Sequence, residues 1–113
     1  MDTKMKSSKA FTKQLHSEVE DSEKGVFSKV LFKDDCCQYT LLSLAENTEI
    51  SEHASTRNAT VNVIEGGGML TLEGREIPLE QGVFVFMPAN APHALKAHEN
   101  LLLLLTLSEH FSL

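Results

Sequence analysis

The sequence predicts an all-β fold, a barrel or two-sheet sandwich built as one domain, and three observations carry that expectation. Short runs rich in β-branched, aromatic and leucine residues recur along the chain, separated by turns that hold glycine, asparagine or aspartate. Inside most of these runs apolar and polar residues alternate, the period of a strand with one buried face. In two of them, Val83–Met87 and Leu101–Leu107, both alternating faces are apolar, as in a strand covered on two sides. A chain of 113 residues that is 42% hydrophobic can bury one core without staples.

Taken in order, residues 1–10 are basic and polar and read as a frayed tail, with the single domain running from residue 11 to residue 113. Phe11, Leu15 and Val19 recur every four residues, which permits one or two turns of helix or a loosely packed arm up to Glu23. Gly25 breaks that pattern. Val26–Phe32 and Gln38–Ala45 then form two strands around the polar turn Lys33-Asp34-Asp35, and an antiparallel hairpin is the simplest pairing. The loop Glu46–Glu49 delivers the chain to a segment, Ser51–Thr60, that is too polar for a core strand and belongs at a barrel mouth.

Val61 and Val63 share one face of the next strand, and Leu70 and Leu72 share one face of the strand after the glycine triplet Gly66–Gly68. Glu73-Gly74 supplies a tight hairpin turn before Arg75–Leu79. The five consecutive leucines from Leu101 could begin a helix. They are too few to cross a membrane, however, and they sit where a closing strand is needed, so the expectation is a strand buried on both sides.

Charge and cysteine content narrow the function. A formal net charge of −6 with no basic patch argues against a nucleic-acid partner, because binding to the phosphate backbone is driven by clustered Lys and Arg. The two cysteines, Cys36 and Cys37, are adjacent, which suits neither a loop-closing disulfide nor a metal knuckle. They read as reduced thiols, one packed and one exposed. With no apolar run after the basic start that resembles a signal peptide, a cytoplasmic location is expected and no membrane partner. The glycine triplet is a turn and not a phosphate cradle, since strands flank it and no Lys-Ser or Lys-Thr follows. Ser55 lies near His53, but nothing supplies an orienting carboxylate for nucleophilic catalysis.

The stretch Ser51–Leu95 holds a histidine at each end of a strand-rich run, and its motifs resemble those of the cupins, small β-barrels of the RmlC-like class. The second cupin motif is matched by Gly82, Pro88 and His93, with Asn90 where a glycine is usual; Asn tolerates the left-handed backbone such a glycine supplies. In the first motif His53 takes the first histidine position and Gly66 the closing glycine. Ser55 stands where a second histidine is expected and Ala59 where a glutamate is expected, so two of the four metal ligands typical of the family are missing. The resemblance implies a double-stranded β-helix, or jelly-roll, barrel.

Residues two apart on a strand face the same way. Counting from the two histidines and from the inward position at Ala59, the expected pocket is lined by His53, Ser55, Ala59, Val61, Val63, His93 and Leu95. His98 and Glu52 are an odd number of steps from a motif histidine and face away, while His16 and His110 are expected at the surface. Two functional classes follow. One is a small-molecule-binding module, a sensor, carrier or accessory domain, whose apolar pocket is capped by His53 and His93. The other is a metal-dependent cupin enzyme, an oxygenase, isomerase or decarboxylase, using the same two histidines. The expected cofactor is none, or a weakly held divalent iron, manganese, zinc or nickel, because a catalytic metal site normally needs about three protein ligands. A homodimer is expected from the strands that are apolar on both faces.

Overall fold

In a computed structural model, which describes residues 9–19 and 25–109, the chain forms two antiparallel sheets packed face to face. Nine strands follow in chain order: β1 (Val26–Lys33), β2 (Cys37–Leu44), β3 (Glu49–His53), β4 (Asn58–Glu65), β5 (Gly68–Leu72), β6 (Arg75–Leu79), β7 (Phe84–Met87), β8 (His93–Ala97) and β9 (Leu101–Ser108). One sheet has the order β1-β2-β9-β4-β7 and the other β3-β8-β5-β6. This is the jelly-roll arrangement expected from the sequence, and it closes a core between the sheets.

The alternation seen in the sequence becomes the inside and outside of that core. Val61 and Val63 on β4, Leu101 and Leu103 on β9, and Val85 and Met87 on β7 are buried in one cluster with Leu44, Leu70 and Leu79. Register aligns them: Val61 sits opposite both Leu105 of β9 and Val85 of β7. The leucine run is a strand, not a helix, and lies in the middle of the five-stranded sheet between β2 and β4. The hairpin β1–β2 also forms as expected, with a register shift between Val30 and Phe32.

Three expectations are corrected by the fold. The loop expected over Glu46–Glu49 ends as β3 begins at Glu49, and the polar segment Ser51–Thr60 is not wholly outside the core: its start lies in β3, an exposed edge strand, but Asn58–Thr60 open β4 between β9 and β7, where Ala59 is 3% exposed. The strand at Val83–Met87 is not covered on both faces within the chain. Its Val85 and Met87 point inward, while Phe84 and Phe86 remain 58% and 51% exposed on the outer face. The helix expected from Phe11 onward reduces to a single 3₁₀ turn at Leu15–Glu18, started by the Gln14 side chain, whose oxygen accepts from the backbone N–H of His16 at 2.8 Å. So short a helix has little stability of its own. Phe11 goes instead to Phe32, 6.1 Å away between ring centres, and Glu18 to Lys29 at 2.7 Å, so the arm is tied down by separate partners on β1. Residues 1–8 of the expected tail, residues 20–23 of the expected helix and His110 lie outside the described residues.

Candidate functional site

His53 ends β3 and His93 begins β8, and these two strands pair so that the histidines are direct cross-strand neighbours. Their rings lie 4.2 Å apart between centroids with an interplanar angle of 62°. Each is oriented by its own chain. His53 Nδ1 donates to the Ser51 carbonyl and His93 Nδ1 to the Ala91 carbonyl, both at 3.0 Å. A carbonyl only accepts, so in each ring the hydrogen is on Nδ1 and Nε2 of the neutral imidazole keeps its lone pair.

The loops that carry the histidines are fastened to each other. The Asn90 N–H donates to the Ser55 carbonyl at 2.6 Å, and the Ala89 N–H donates to Asn58 Oδ1 at 2.9 Å. Asn90 can do this because it holds φ of 71°, the left-handed backbone expected where the motif usually has glycine. At the other end of the first motif Gly66 has φ of 91°, and a Cβ there would overlap the backbone of Asn100, so this position requires glycine twice over.

Beneath the histidines lies a cavity of about 230 Å³ between the two sheets. Leu42 of β2 and Leu103 and Leu105 of β9 form one wall with Val61 and Met87; Ile50, Leu70, Leu79 and Leu95 form the other. Among the described residues no side chain of the lining other than the two histidines is polar. Among the described residues no buried side-chain nitrogen or oxygen is left without a hydrogen-bond partner.

Of the residues expected at the pocket, His53, Val61, His93 and Leu95 are brought together around this cavity. Ser55, Ala59 and Val63 are not. Ala59 and Val63 face the same interior but are packed into the core above and below it, at 3% exposure each, and Ser55 turns into its loop, where its Oγ accepts from the Arg57 N–H at 3.1 Å. The contributions of β2, β5, β6, β7 and β9 were missed because counting by twos started only from the motif histidines. The signal for them was the shared parity of Leu42 with Leu44, of Leu70 with Leu72 and of Leu103 with Leu105 in their own strands.

The donor set does not fit the three-ligand metal site of a catalytic zinc or iron enzyme. Among the described residues no three His, Cys, Asp or Glu side chains gather in one place, and the two positions beside His53 that would complete the set hold Ser55, already engaged, and Ala59, which has no donor atom. What remains is a pair of imidazole nitrogens at the mouth of an apolar cavity. Cys36 is exposed just before β2 and Cys37 is half-buried at its first position, both as free thiols.

A sequence model of the cupin domain matches residues 40–107, more than half of the chain. Among functionally curated proteins none matches. Solved structures are similar throughout. A conserved protein of unknown function from Streptococcus pyogenes shares 27% identity with a TM-score of 0.81, covering 99% of this chain and 98% of that one. A cupin 2 conserved barrel domain protein from Leptotrichia buccalis shares 28% identity with a TM-score of 0.77 over 83% of this chain and 46% of its own. A salicylate 1,2-dioxygenase from Pseudaminobacter salicylatoxidans is similar in fold, at 22% identity and a TM-score of 0.63, over 65% of this chain and 21% of the dioxygenase.

Proposed function

The chain belongs to the cupin family, and from that premise we propose that it is a small-molecule-binding cupin, a sensor, carrier or accessory module acting as one domain over residues 11–113. One observation carries the reading: an apolar cavity of about 230 Å³ whose only polar side chains are His53 and His93 at its mouth. Pockets of this character, mostly apolar with a few placed polar groups, suit small and largely uncharged molecules. A dry engineered cavity of roughly 150 Å³ accepts benzene, so one ring or a short branched chain is the right size here.

Titration with toluene, followed by methyl NMR, tests the pocket. Binding should shift the methyls of Val61, Leu70 and Leu103 together, and His53→Ala or His93→Ala should weaken binding of an oxygen-bearing ligand without unfolding the barrel. Absence of any methyl shift up to saturating toluene sinks the pocket.

The two free Nε2 lone pairs favour a second reading, a metal-dependent enzyme that completes a two-histidine site with water or substrate. Elemental analysis of untagged protein purified without chelator separates the two. One equivalent of iron, manganese, zinc or nickel per chain, lost on either histidine substitution, promotes the enzyme. The same proposal includes a cytoplasmic location, supported by two free cysteines, and a homodimer, supported by the exposed phenylalanines of β7. Among the described residues no helix is long and apolar enough to cross a membrane.

A further inference from the structure

Resting on the pocket reading above, we infer that the ligand must be an uncharged hydrogen-bond donor, an alcohol or phenol, and that carbonyl compounds and carboxylates of the same size are rejected. Both Nδ1 hydrogens are committed to main-chain carbonyls, of Ser51 and Ala91. The only polar side-chain atoms that the neutral rings have left for a guest are therefore two Nε2 acceptors. Acceptor meeting acceptor is repulsive, so a ketone or ether oxygen placed against the histidines loses its water and gains no partner, a loss comparable to burying an unsatisfied polar group. A hydroxyl keeps a hydrogen bond on entry.

A carboxylate fares worse. Among the described residues no Lys or Arg lines the cavity to neutralise it, and the remaining wall is aliphatic except for the Met87 thioether. The backbone bonds also hold each tautomer in place, because moving the hydrogen to Nε2 would leave Nδ1 and the carbonyl behind it as two facing acceptors. Selectivity is thus set by two carbonyl groups that never touch the ligand.

The test compares aromatic compounds of similar size at pH 8: 1-phenylethanol as donor and acetophenone as acceptor only, on one carbon skeleton, and benzoate, one carbon shorter, as anion, each titrated against the full chain by methyl NMR. One net hydrogen bond corresponds to an advantage of about three- to tenfold for the alcohol over the ketone. Benzoate should neither bind nor compete. Two-bond ring ¹H–¹⁵N spectra should find both histidines in the Nδ1–H form. Acetophenone binding as tightly as the alcohol, benzoate binding at a measurable affinity, or an Nε2–H form in either ring overturns the inference while toluene binding leaves the pocket standing. If toluene also fails to bind, the pocket reading falls and the donor requirement falls with it.

Discussion

Asn90 does at the scale of one residue what glycine does elsewhere in the motif, and it does so at the loop that presents His93. Its φ of 71° puts its N–H on the Ser55 carbonyl, so the backbone conformation and the link between the two histidine loops are one feature. Asn90→Gly should leave stability unchanged or slightly raised. Asn90→Val, which forces a β-branched residue into the left-handed region, should cost about 1–2 kcal/mol. Chemical denaturation of both variants checks this, and equal midpoints would refute the turn assignment. The histidines themselves are cheap to replace in folding terms: His53 is exposed at the mouth, so His53→Ala should change stability by less than about 0.5 kcal/mol. A large loss there would mean that the ring is structural.

Among the elements, β9 is the one that holds the five-stranded sheet together. It pairs with β2 on one side and β4 on the other, and its Leu103, 1% exposed, lies in the core while its side chain also lines the cavity. Leu103→Ala should cost about 2–5 kcal/mol and enlarge the space available to a ligand, so a stability loss paired with tighter binding of a bulkier aromatic is the expected outcome. The β1–β2 hairpin depends on a different device. Asp34 Oδ1 accepts from the N–H groups of Cys37 and Cys36, at 2.8 Å each, and these bonds hold its carboxyl below the usual aspartate range. Because the folded value is depressed, the contribution is fully present above the ordinary aspartate pKa, about 3.9, and is lost as pH falls through the lower folded value. Unfolding midpoints followed as pH falls from above the ordinary aspartate range into acid should fall less steeply for Asp34→Ala than for the native chain. Parallel curves would rule out the turn as a source of acid sensitivity.

For the whole molecule, the unresolved demand is the outer face of the five-stranded sheet. Register places Phe84 and Phe86 of β7 opposite Asn62 and Thr60 of β4, and these are followed on β9 by Leu104 and Thr106, so this part of the face carries no charge in a chain of net −6. β1 pairs with β2 of its own chain and is the edge strand of the same sheet at the side opposite β7. A second copy packing on the uncharged face would cover both phenylalanines by an isologous contact. Sedimentation equilibrium at micromolar concentration should give a dimer, and Phe84→Ser with Phe86→Ser should shift it toward monomer. A native chain that sediments as a monomer removes the dimer from the proposal.

The alternation of Val61 with Val63, of Leu70 with Leu72, and the punctuation by Gly66 and Glu73-Gly74 determined the strands and their inward faces, because period and turn chemistry are local properties of the chain. The positions of His53, His93 and Asn90 were legible through the resemblance to the cupin motifs, down to the sign of φ at Asn90. Tertiary structure alone decided which strands meet. No local pattern says that β3 pairs with β8, and so none could say that His53 and His93 are neighbours or that carbonyls of Ser51 and Ala91 dictate which nitrogen carries the hydrogen. The extent of the pocket was likewise decided by closure of the sheets. Ala59 and Val63 have the inward parity that counting assigns, yet packing against the opposite sheet fills the space around them and leaves the cavity to Leu42, Leu70 and Leu105, because parity sets the side of a strand while the fit between sheets sets where room remains.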